Sequence, residues 1–151
     1  MYRCGNACHV GRCAMRMCRL YIPLYDWNVT AFFDACAEDE AVILDELWYI
    51  SCPEHTMARV ERNLKRDKLD TGFTYSNQVL RESVMTVGRA SSPREFANSY
   101  AHELRHLVDD IAFGSFLPMR GEGVGYLTGE LTWEYWEDMH DFLCCCKCHQ
   151  K

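Results

Sequence analysis

The chain has 151 residues, 48% hydrophobic and 25% charged, a length and balance that suit one compact domain and leave little room for two. It contains no run of about 18 apolar residues, which argues against a membrane-spanning helix. A formal net charge of -6 argues against sequence-independent nucleic-acid binding, because that needs basic surface to displace counterions from phosphates.

The ten cysteines gather at the two ends. Cys4, Cys8, Cys13 and Cys18 lie near the start, Cys144, Cys145, Cys146 and Cys148 near the finish, and only Cys36 and Cys52 fall between them. Such placement does not staple the body of the domain. It divides the chain into a cysteine-rich head (1–19), a folded body (20–143) and a cysteine-rich tail (144–151). Arg3, Arg12, Arg16 and Arg19 come without the apolar block of a signal peptide, so a cytoplasmic protein with free thiols is expected. The alternative for the two clusters is a closed structural zinc site of four thiolates.

In chain order, the aromatic and β-branched residues from Tyr21 to Phe33 predict an extended strand, with Pro23 placing its beginning at an edge. From Glu38 to Ile50, Val42, Ile43, Leu47 and Ile50 recur at helical spacing behind an acidic first turn, predicting a helix. Cys52-Pro53 interrupts it. A second helix, Glu54 to Lys65, turns Met57, Val60 and Leu64 inward and Arg59, Arg62 and Lys65 outward. Alternation over Thr71–Ser76 and again over Glu82–Val87 predicts a hairpin turning at Asn77-Gln78. Ser92-Pro93-Arg94-Glu95 then reads as a helix start: Ser92 caps, Pro93 fits the first turn and Glu95 closes a capping box. The helix runs to Gly114, and a last one is predicted from Glu122 to about Leu143. The expected fold class is α+β, about four helices packed on a small antiparallel sheet.

The long helix carries His102-Glu103-Leu104-Arg105-His106. Two imidazoles four positions apart leave one helix face about a turn apart and can chelate a single ion, while Glu103 is rotated by about 100° from the first of them. That offset lets a carboxylate reach a zinc-bound water without being a ligand, which is the general-base arrangement for hydrolysis. Catalytic zinc takes a third protein ligand and keeps an open position. Glu122, at the start of the next helix, is the first choice; Glu130 and Glu134 are alternatives and His140 a remote one. Asp109 and Asp110 are placed to orient His106, and Tyr126, a turn after Glu122, to donate a hydrogen bond to a developing oxyanion. Each also has an ordinary reading, as a solvent-facing charge or a packing tyrosine. The Trp133-Glu134-Tyr135-Trp136 stretch reads first as a buried aromatic stripe and second as an interface patch.

With Gly121-Glu122-Gly123-Val124-Gly125-Tyr126-Leu127-Thr128-Gly129 following it, the motif resembles the small zincin-like metallopeptidase domains of bacteria and their phages, the gluzincin pattern in particular. The resemblance covers residues 70–135. It implies a Zn2+ cofactor held by His102, His106 and Glu122, with Glu103 as the base. It further implies hydrolysis of a peptide bond in a protein or peptide that lies extended along a strand beside the motif helix. Nucleic acid and membrane are not expected partners. The chief rival is a regulatory or interaction protein that keeps the scaffold and a structural zinc without catalysis. A weaker rival is a redox or metal-handling role for the cysteine-rich ends.

Overall fold

A computed structural model describes residues 14–66 and 72–143. The cysteines of the tail, and Cys4, Cys8 and Cys13 of the head, lie outside those residues, and with them the structural-zinc alternative. The described elements are β1 (Arg16–Ile22), β2 (Trp27–Ala35), α1 (Glu40–Tyr49), α2 (Glu54–Lys65), β3 (Gly72–Asn77), β4 (Glu82–Gly88), α3 (Pro93–Gly114), α4 (Glu122–Glu134) and α5 (Trp136–Leu143). The class is α+β, as expected.

The four strands form one sheet in the order β1-β2-β4-β3, and it is mixed rather than wholly antiparallel: β1 and β3 run antiparallel to their neighbours, whereas β2 and β4 pair in parallel. A parallel pair needs a long crossover, and α1, α2 and β3 occupy it. Both faces of this central pair are buried. Phe32 and Val84 point into one apolar cluster with Ile43, Leu47, Val60 and Leu64 of α1 and α2. Val29, Ala31, Phe33, Met85 and Val87 point into the other, with Phe96, Leu104, Leu107 and Ile111 of α3 and Leu127 and Leu131 of α4. Such two-sided burial makes a central strand read as a nearly continuous apolar run.

Three boundaries depart from the sequence expectation. The single strand expected from Tyr21 is a hairpin, because Pro23, with its fixed φ and no N–H, opens a 3-10 turn over Pro23–Tyr25 and Asp26 adopts a left-handed conformation (φ 49) before β2 begins. The head therefore enters the fold earlier than residue 20, since β1 starts at Arg16. The last helix is two: the chain turns at Tyr135, whose ring is fully buried against Phe33 with centroids 5.5 Å apart. In the Trp133–Trp136 stretch only Tyr135 belongs to the core; Trp133 and Trp136 are exposed. Among the described residues no helix is long and apolar enough to cross a membrane.

Candidate metal centre

The helix that carries the motif is the longest in the molecule, and its ends explain why it forms there. Ser92 is extended and its hydroxyl accepts from the Glu95 N–H, satisfying one of the amides a helix start leaves open. Pro93 follows at the first helical position. The Glu95 carboxylate reaches one residue further back than a capping box requires, accepting from the backbone N–H and hydroxyl of Ser91, and those bonds hold its pKa below the usual carboxylate value. Leu104, Leu107, Val108 and Ile111 fix the rotation of α3 by burying one stripe against the sheet and α4.

That rotation leaves His102 and His106 on the exposed side. Their Nε2 atoms converge to 3.1 Å, with the rings 4.8 Å apart and 76° from parallel. Two nitrogens bound to one tetrahedral zinc at about 2.1 Å stand about 3.4 Å apart, so the pair fits such an ion with little movement. Glu103 lines the same cavity as the two imidazoles, from between α3 and β3, and is only 2% exposed. The Thr74 hydroxyl on β3 lies 2.9 Å from its Oε2 and 3.2 Å from its carbonyl oxygen and shares one proton between them.

Gly72 makes this approach sterically permissible. Its φ is +141, and a Cβ there would lie 1.9 Å from the Thr86 carbonyl oxygen and 3.1 Å from Glu103 Cγ. Together Gly72, Phe73, Thr74, His102, Glu103, His106 and Asp110 line a cavity of about 310 Å³. A larger cavity, about 490 Å³, opens over β1 and β2 beside Arg19, Glu46 and Tyr49 and contains no predicted site residue.

The two acidic residues after the motif have different fates. Asp109 accepts from Arg105 Nε at 2.8 Å. Asp110 lines the cavity beside Ser76, at the end of a chain of polar contacts that crosses the sheet: Trp27 Nε1 donates to Ser83 Oγ at 2.8 Å, and Ser83 Oγ lies 2.7 Å from Ser76 Oγ. Burial raises the pKa of Asp110, against the lowering effects of the Ser76 hydroxyl and His106.

The residues expected on the following helices are not brought to the cavity. Glu122, Glu130 and Glu134 are exposed on α4, which turns Val124, Leu127 and Leu131 inward instead. His140 stacks on Trp136 and lies 2.9 Å from Asp141. Tyr126 is 74% exposed and lines no part of the cavity. Among the described residues no group of three His, Cys, Asp or Glu side chains is gathered closely enough to enclose an ion.

Sequence reasoning did not single out Gly72, Thr74, Ser76 or the Trp27-Ser83 pair. The alternation of β3 does carry a signal, since it puts Thr74 and Ser76 on one face, but nothing local says that this face meets α3. No family model, curated protein or solved structure matches the chain.

Proposed function

We propose that this chain is a zinc-dependent peptidase that hydrolyses a peptide bond in a protein or peptide, with His102 and His106 holding Zn2+ and Glu103 as the general base. The observation that carries the reading is the meeting of the two Nε2 atoms at 3.1 Å beside a buried carboxylate in one cavity. When bound, zinc supplies a coordinated water with a pKa near 7 and polarises a carbonyl. Glu103 takes the proton of the attacking water on its carboxylate and passes it to the leaving amine. Thr74 fixes the carboxylate's orientation through Oε2. Gly72 and Phe73 line the cavity on the β3 side.

Substrate fits as an added strand. Among the described residues β3 stands at the edge of the sheet with β4 as its one strand partner, and it borders the cavity through Gly72, Phe73 and Thr74. Cys18, Cys36 and Cys52 are free thiols, in keeping with a reducing compartment such as the cytoplasm. The family reading, a small zincin-like domain, rests on the motif and on these contacts alone.

One observation favours a second reading. No third ligand is assembled among the described residues, which suits a protein that keeps the scaffold and regulates or binds without cleaving. The two readings separate on one experiment. Zinc-loaded wild-type protein and its Glu103→Gln variant are incubated with a broad peptide library, and the products are read by mass spectrometry. The peptidase reading expects cleavage by the wild type and a loss of about 10²-fold or more in the variant. Cleavage that persists unchanged in the variant, or none by either protein, contradicts it.

A further inference from the structure

We propose that Asp110 is a cation-recognising residue of the cleft, selecting substrates that present an ammonium or guanidinium group about two residues from the scissile bond. The inference rests on the peptidase reading for the word substrate, but its observations are independent of it.

Asp110 is half-buried in the cavity wall, on the same side of α3 as His106 and one turn beyond it. Several other half-buried carboxylates of the molecule meet a cation within the chain, Asp34 with Arg89, Glu46 with Arg19 and Asp109 with Arg105, although Asp39, Glu82 and Asp138 share with Asp110 the lack of a Lys or Arg ion pair among the described residues. Asp110 has no Lys or Arg within ion-pair distance among the described residues. Removing a carboxylate from water without a cation is unfavourable, and such a group in a cavity is complementary to an incoming positive charge.

The sheet is built to hold that carboxylate in place. Trp27 and Ser83 are both buried, and with Ser76 they form a polar series that ends beside Asp110. A carboxylate that serves only solubility needs no such support. A carboxylate has about four acceptor sites, so with Ser76 beside it Asp110 keeps acceptor capacity toward the cavity.

Position sets the register. Asp110 follows His106 by four residues, about 6 Å along the helix axis at about 1.5 Å per residue. An extended peptide advances about 3.3 Å per residue, so the charge it meets lies about two residues from the bond held at the imidazole pair. The cation can be a Lys or Arg side chain or the free α-ammonium of a short peptide, the same chemistry from two sources.

The test uses the full chain carrying Glu103→Gln, loaded with one equivalent of zinc, with and without Asp110→Asn. Alanine-based hexapeptides carrying Lys, Arg, norleucine or Glu at one position at a time, each with a free or acetylated N-terminus, are titrated by fluorescence anisotropy. The expected result is binding at least about tenfold tighter for a basic peptide than for its norleucine twin at one position. Asp110→Asn should erase that difference. A preference confined to unacetylated peptides identifies the α-ammonium as the source; one that survives acetylation identifies the side chain. Equal affinities at every position, absence of binding, or a preference that persists in Asp110→Asn overturns the proposal. Failure of the peptidase reading looks different: wild-type protein then binds the basic peptides and leaves them intact.

Discussion

The hydroxyl of Thr74 stands 2.9 Å from the carboxylate of Glu103, so a strand residue takes part in orienting the proposed base. A hydrogen bond to a charged, buried acceptor contributes about 1.5–3 kcal/mol. Thr74→Val is expected to lower stability by an amount in that range and to reduce peptide hydrolysis, whereas Thr74→Ser, which keeps the donor, should retain most of both. Urea denaturation and initial rates on one cleaved peptide check this; equal behaviour of the two variants contradicts it.

Gly72→Ala is expected to destabilise the fold by more than about 1 kcal/mol, because φ is positive there and the new methyl would meet the Thr86 carbonyl at 1.9 Å. Relief requires β3 to move away from β4, which also shifts Thr74 from Glu103. The measurement is the midpoint of urea unfolding. An unchanged midpoint would mean that the close approach does not hold the site together.

Tyr135 gives a prediction at alkaline pH. Its hydroxyl is fully buried and has no hydrogen-bond partner among the described residues. Burial holds its pKa well above 10, and pushes that of Tyr100 to about 12. The unfolded chain releases these protons from about pH 10, so above that value it binds fewer protons than the folded chain, and stability falls as pH rises. Their contribution is fully present below about pH 10. Tyr135→Phe removes an unsatisfied hydroxyl as well as a titrating one. It is expected to stabilise the protein by about 1 kcal/mol at pH 7 and to flatten the loss between about pH 10 and 12. Unfolding midpoints measured across that range decide the matter, and a variant less stable than wild type at pH 7 contradicts the account.

How much of this was legible depends on whether the governing contacts are local. The start of α3 was legible because Ser92, Pro93 and Glu95 act within one turn, and its face was legible because Leu104, Leu107 and Ile111 recur at helical spacing. The same periodicity placed His102, Glu103 and His106. The parallel pairing of β2 with β4 was not legible, since no local signal distinguishes a doubly buried central strand from one that is antiparallel and equally apolar. The Tyr135 turn also escaped, because apolar spacing continues through Leu131, Tyr135 and Met139 while the axis changes. At the site, the expectation for Glu122 rested on a helix folding back over the imidazoles; α4 does pack along α3, but with Val124 and Leu127 toward the core and Glu122 outward. For Asp110 only the spacing from His106 is visible in the sequence. Its support from Trp27, Ser83 and Ser76 joins residues far apart in sequence, which only the folded sheet brings into line.

The central claim is that His102 and His106 hold zinc. Elemental analysis of the purified full chain, beside a His102→Ala, His106→Ala double variant and the Glu103→Gln variant, tests it most directly. The account expects the double variant to lose one zinc per chain relative to wild type while Glu103→Gln keeps it. Equal zinc in wild type and double variant, or none in freshly prepared wild type, would contradict it.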